Sequence, residues 1–217
     1  MVVNTSIIDI VERALVLSET FIDNSQQWEE VINPGEGAKI NQEERHYLMY
    51  NKTNSRWNHY TIEAPISISD DFALSVSFRN NPFFKLKAFG WMWGYMKNSN
   101  RFNRFEINPS SQSFRIVNFE RNHGRIPFEH FEESSNLMVG GDVQNELGIV
   151  KLCGVYYFFI NNNDVPVFQC SENLLPMNGN LMGIYVEPGS VVTSEKIKLY
   201  KLKSHEIKEN NFYKIFE

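Results

Sequence analysis

Cysteine is nearly missing from this 217-residue chain: Cys153 and Cys170 are the only two. That is too few for a disulfide framework, and neither has the neighbouring Cys/His set that a zinc site needs, so both are expected as buried thiols. No apolar run approaches membrane-spanning length. The start, M-V-V-N-T-S-I-I-D-I-V-E-R, lacks a basic n-region, and Asp9 and Glu12 interrupt its apolar stretch. It therefore does not read as a secretory signal, and a cytoplasmic location is expected, although a mature form that had lost its signal would read the same. Positive charge is in deficit. Lys and Arg number 21 against 26 Asp and Glu, a net charge of −5 without long runs, which gives no electrostatic footprint for a nucleic acid or an anionic membrane. There is no phosphate-cradling glycine loop and no dinucleotide fingerprint, so no cofactor is expected. No loop offers acidic or carbonyl ligands at the regular spacing of a calcium site, and no metal is expected.

What the chain does have is aromatic and apolar mass. Hydrophobic residues make up 42% of it and aromatics 14%, including 17 Phe, enough to bury a sizeable core. Short strand-like runs recur between turn formers, near 38–41, 46–50, 59–64, 72–79, 88–96, 101–107, 113–119, 146–152, 155–161, 165–170, 180–186 and 192–202. Strands at this spacing with few helical patterns between them predict an all-β, two-sheet antiparallel sandwich. Residues 6–17 carry apolar positions at helical spacing, and Ser6 with Asp9 resembles a capping box, which predicts a short N-terminal helix; the β-branched content leaves 13–22 open as a first strand instead. The expected organisation is an N-terminal helical extension over 1–20, one sandwich over 21–203 and a charged tail over 204–217. The tail reads equally as a terminal helix or a docking segment.

The most informative stretch is Ala88 to Asn108, A-F-G-W-M-W-G-Y-M-K-N-S-N-R-F-N-R-F-E-I-N, which reads as one hairpin around a loop at 97–100. Pairing Met96 with Arg101 sets Gly94 against Asn103 and Met92 against Phe105. Trp91, Trp93, Tyr95, Phe102, Arg104 and Glu106 then share one face. Phe105 and Ile107 take the other, with Phe114 and Ile116 of the next strand and with Arg115 opposite Glu106. Ring faces with charges among them make a plausible ligand floor. The competing reading puts the tryptophans in the core, because a one-residue change flips one strand against the other. Cys153-Gly154 reads as a two-residue hairpin turn, and the segment 120–135 as a surface loop.

Several motifs in this order are similar to the concanavalin A-like lectin/glucanase jelly rolls, in particular a bacterial laminin-G-like and keto-disaccharide-hydrolase-like branch. They are Phe21-Ile22-Asp23-Asn24 with Trp28, Asp71-Phe72-Ala73-Leu74-Ser75-Val76, Gly90-Trp91-Met92-Trp93-Gly94, Phe105-Glu106-Ile107, Leu147-Gly148-Ile149-Val150-Lys151, Tyr157-Phe158-Phe159-Ile160-Asn161, and the pair Gly183-Ile184-Tyr185-Val186 and Ile197-Lys198-Leu199-Tyr200. The resemblance implies a jelly roll with a ligand on its concave face. Here it implies a non-catalytic carbohydrate binder whose ring faces come from Trp91, Trp93 and Tyr95 and whose hydrogen bonds come from Arg104, Glu106 and Arg115, with Asn118 added if its strand twists or bulges. The alternative is a protein-interaction or scaffolding module, with a second copy of the chain as one partner, that uses the same face or the N-terminal helix. A glycoside hydrolase is the weaker alternative, because the family's Glu-x-Asp-x-x-Glu strand is represented only by Glu106-Ile107-Asn108-Pro109, and no catalytic residue is assigned.

Overall fold

The computed structural model describes residues 10–52, 57–80, 87–98, 101–120, 124–161 and 165–204. In chain order the strands are Ile10–Glu19 (β1), Val31–Ile32 (β2), Glu36–Asn41 (β3), His46–Asn51 (β4), Asn58–Glu63 (β5), Asp71–Asn80 (β6), Phe89–Met96 (β7), Arg101–Asn108 (β8), Ser113–Glu120 (β9), Arg125–Glu133 (β10), Gln144–Leu152 (β11), Val155–Ile160 (β12), Phe168–Ser171 (β13), Leu181–Val186 (β14) and Ser190–Ser204 (β15). A 3-10 turn at Glu172–Leu174 follows β13. All pairings are antiparallel. One sheet has nine strands, ordered β13-β12-β11-β6-β15-β4-β3-β2 with β1 also on β15; the other has six, ordered β10-β9-β8-β7-β14-β5.

The N-terminal segment corrects the expected helix. From Ile10 onward it is a strand, while residues 1–9 lie outside the described residues. The cause is the length of β15. β6 covers one edge of that strand from Val192 to Leu202, but β4 reaches only from Ser190 to Ser194 on the other, leaving its second half open. Pairing with β1 from Ile197 to Ser204 satisfies those backbone groups, which a short isolated helix, marginal in water, does not. The segment 120–135 is likewise not a loop: most of it is β10, paired with β9. Glu129 and Phe131 thereby become members of a sheet face. The tail after Ser204 lies outside the described residues.

Between the sheets lies one aromatic core. Phe72, Leu74, Val76 and Phe78 of β6 and Ile149 and Phe158 of β11 and β12 meet Phe89, Trp91, Trp93, Phe105, Ile107, Phe114 and Ile116 of the six-stranded sheet. Trp93 packs 5.7 Å from Tyr156 and 5.9 Å from Phe158, ring centre to ring centre, while Trp28 meets Trp91 edge-on at 6.4 Å. The β11–β12 hairpin turns at Cys153-Gly154 as expected, with φ of 49° and 79° at the two turn residues, the left-handed pair of a type I′ turn. Cys170 is buried, but Cys153 is exposed, which corrects the expectation of two buried thiols; neither is in a disulfide.

Candidate functional site

The hairpin of β7 and β8 decides which side chains face outward. Met96 pairs with Arg101, as the loop predicts, but Trp93 pairs with Asn103, Met92 with Arg104 and Trp91 with Phe105. Gly94 and Tyr95 together stand against Phe102 alone. This is a bulge, and Gly94 at φ 68° supplies the left-handed residue that it needs. One extra residue inverts the side-chain alternation of everything before it. Trp91 and Trp93 therefore join Phe105 and Ile107 in the core rather than a ligand floor, whereas Tyr95, beyond the bulge, turns to the outer face. The β8–β9 register is as expected, with Glu106 opposite Arg115 and Ile107 opposite Phe114.

Asn118 also leaves the expected set. It lies on the inner side, where its amide donates to Asn103 Oδ1 at 2.8 Å, and Asn103 in turn donates to the carbonyls of Leu175 and Pro176. This chain of amides pins the 175–176 segment to the bulge.

Three of the seven expected residues, Arg104, Glu106 and Arg115, come together on the outer face of the six-stranded sheet. Strand register places His59, Tyr185, Gly90, Glu106, Arg115 and Phe131 in one row across all six strands. The row beside it runs Thr61, Gly183, Met92, Arg104, Val117 and Glu129. Gly90 sits between Tyr185 and Glu106, and a Cβ there would lie 2.1 Å from the Phe105 carbonyl oxygen. No other residue fits so close to the neighbouring strand, and the missing side chain leaves a gap in the row.

Arg104 is 5% exposed, and its guanidinium lies 4.2 Å from the centre of the Tyr185 ring, with Phe119, Trp57 and Phe102 between 5.6 and 5.9 Å. A cation inside a ring cage is held by the ring quadrupoles, and a planar guanidinium suits this better than an ammonium. Its charge is balanced by Glu106, itself 3% exposed, at 3.5 Å from Arg104 Nε to Oε2. Arg115 donates to Glu106 Oε1 at 3.3 Å and to Glu129 Oε1 at 2.7 Å. Burial, the largest influence, pushes the Glu106 carboxyl above its ordinary range; the two arginines pull it down and Glu187 pushes it up.

The Arg104–Glu106 contact lacks hydrogen-bond geometry. Arg104 Nε and Glu106 Oε2 are both buried without a hydrogen-bond partner among the described residues. Each such group costs about 1–3 kcal/mol while unsatisfied. Glu106 also lines a cavity of about 170 Å³, together with Ala88, Asn108, Ser111, Ser113, Arg115, Phe131 and Glu187. Phe131 is 61% exposed at its rim, a large ring held out on an edge strand. The sequence signals for the missed residues were weak. Phe131 and Glu129 alternate outward only once 125–133 is a strand, and Glu187 follows β14 at a turn. Among the described residues no three His, Cys, Asp or Glu side chains cluster as a metal-holding group.

No family model and no curated protein matches the sequence. Solved structures do match in fold. A Bacillus subtilis protein of unknown function with a galectin-like fold aligns with a TM-score of 0.61 at 9% identity, covering 90% of this chain and 97% of its own. An endo-β-1,3-glucanase from Pyrococcus furiosus aligns at 0.61 and 8% identity, over 92% of this chain and 99% of its own. The carbohydrate-binding module CBM66 of Bacillus subtilis aligns at 0.52 and 10% identity, over 84% and 94% respectively. The fold is thus the two-sheet jelly-roll sandwich that these three solved structures share.

Proposed function

We propose that this jelly-roll sandwich recognises a glycan on the outer face of its six-stranded sheet, across the row from Phe131 to Gly90. The observation that carries the proposal is the pair of unsatisfied buried groups, Arg104 Nε and Glu106 Oε2, on a face whose cavity Glu106 lines. A sugar hydroxyl is both donor and acceptor, so one hydroxyl entering the cavity satisfies Glu106 Oε2 while its oxygen takes an N–H from Arg115. The cavity holds about six waters' worth of volume, enough for one edge of a sugar ring. The ring itself then lies against Phe131, whose apolar face complements the C–H side of a pyranose. Structural neighbours described as a carbohydrate-binding module and a β-1,3-glucanase support a saccharide as the ligand class.

Hydrolysis has one observation in its favour, the raised Glu106 carboxyl beside Glu187 in the same cavity. Against it, Glu106 is engaged by two guanidiniums, which stabilise its charged form and oppose the proton donation that a general acid must perform.

Isothermal titration with neutral oligosaccharides, β-1,3-linked glucose oligomers among them, tests the proposal on the wild type, Phe131→Ala and Arg115→Gln. Saturable binding that weakens by about tenfold in each variant is expected, the loss of one ring contact or one charged hydrogen bond. Absence of binding across the panel, or full affinity in both variants, would refute it. Release of reducing ends, abolished in Glu106→Gln, would replace recognition with hydrolysis.

A further inference from the structure

At the opposite end of the row from Phe131, where β5 meets the β2–β3 edge of the nine-stranded sheet, lies a second cavity of about 280 Å³ that the proposed glycan row does not use. Its lining includes Glu29, Glu36, Trp57, Asn58, His59 and Tyr60. Two features set it apart. It is walled by rings, since Trp57 and His59 lie 5.3 Å apart and Tyr60 closes one side. It is also acidic: two carboxylates line it, and among the described residues neither a lysine nor an arginine does.

The tyrosines around it register that field. Tyr60 is pushed up to about 12, chiefly by burial but with Glu36 and Glu29 adding to the rise. Tyr47, behind it, is raised as well, with burial first and Glu29 among the further causes. Arg104 stands 5.8 Å from the Trp57 ring and lies 3.5 Å from the Glu106 carboxylate, which matches its charge. Among the described lining residues, His59 is the one group that could carry positive charge.

The carboxylates come from two different elements brought together by the fold. Glu36 opens β3, where one of its oxygens accepts from the Asn58 amide at 2.9 Å, tying the edges of the two sheets together. Glu29 precedes β2, and its backbone carbonyl accepts the Tyr47 hydroxyl, which fixes its main chain. Neither element reads as a site by itself. Only the closing of one sheet edge on the other assembles them around Trp57.

We propose that this junction pocket binds a protonated primary amine, with the ammonium between Glu29 and Glu36 and its carbon frame against Trp57. Rings supply a quadrupole that attracts cations and carboxylates supply charged acceptors, and the two together discriminate against neutral and anionic groups. The amine has two chemical sources, an amino sugar or a free alkyl amine. The site stands whether or not the glycan row does, because the two share no lining residue.

The test uses tryptophan fluorescence. Of the four tryptophans, Trp28, Trp91 and Trp93 are buried in the core and Trp57 alone is half-buried, so a ligand in this pocket is reported by Trp57. The whole chain is titrated with glucosamine, N-acetylglucosamine, glucose and 1,5-diaminopentane, at low and at high salt. Glucosamine, the diamine or both should give a saturable change that N-acetylglucosamine and glucose do not, and it should weaken as salt rises. Response to the diamine alone assigns a free amine; response to glucosamine alone assigns an amino sugar. Glu36→Gln retains an oxygen for the Asn58 amide, and Glu29→Gln leaves the backbone carbonyl in place, so both variants keep the fold. Each should weaken binding by about tenfold, the loss of one charged partner, while Glu106→Gln leaves it unchanged. Equal response to glucosamine and glucose, no response to either amine, or unchanged amine affinity in both carboxylate variants overturns the proposal.

Discussion

Glu106 concentrates the chemistry of the outer face in one residue. A carboxyl that is 3% exposed keeps its charge only through Arg104 and Arg115, and burial still holds its proton affinity above the ordinary value near 4.5. In the unfolded chain it titrates near that value, so between there and the raised folded value the native state binds more protons than the unfolded one. Its contribution to stability is therefore fully present below about pH 4.5 and is lost as pH rises through the folded value. Urea denaturation of the wild type and Glu106→Gln across pH 4 to 8 should show the wild type losing stability relative to the variant as pH rises. A constant difference between the two would mean that the carboxyl is not shifted. Arg104 was legible from sequence as a member of this face because it alternates with Glu106 on one strand. Its ring cage was not, since Phe119 and Tyr185 arrive from two other strands and Trp57 from the residue before β5.

The β7–β8 hairpin shows at the scale of one element how much a single glycine decides. Loop length, Met96 against Arg101, and the whole β8–β9 register follow from alternation alone. The bulge does not, although its signal was present: Gly94 interrupts a run of large residues, the usual mark of a bulge or close backbone approach. At φ 68°, with a Cβ meeting Met177 Cα at 3.1 Å, Gly94→Ala should cost about 1–2 kcal/mol in chemical denaturation, from left-handed strain. A neutral effect would mean that the bulge relaxes. β1 makes the same point in reverse. Its 3.6-residue period was real in the sequence, and an open strand edge on β15 outweighed it.

For the whole molecule, the core joins the two sheets through aromatic contacts that span both. β6, β11 and β15 stand inside the nine-stranded sheet with partners on both sides, while β10 is an edge strand with mostly exposed side chains. Native-state hydrogen exchange should therefore be slowest in β6, β11 and the half of β15 that pairs with β4, and fastest, among the strands of the six-stranded sheet, in β10. Fast exchange in β6 would contradict this packing. Opening of β10 would also bear on the glycan row, because Phe131 and Glu129 are carried on it.

By itself the sequence determined the fold class, most strand positions, the turn at Cys153-Gly154 and the pairing of Glu106 with Arg115. These depend on local period and turn chemistry, which neighbouring residues encode. Tertiary structure alone decided that Trp91 and Trp93 are core, that Asn118 braces the 175–176 segment, that residues 125–133 form a strand bearing Phe131, and that Glu29, Glu36 and Trp57 surround one cavity. Each of these depends on how many residues separate two paired strands, or on which sheet edges meet, and a shift of one residue reverses the outcome while leaving the composition of every segment unchanged.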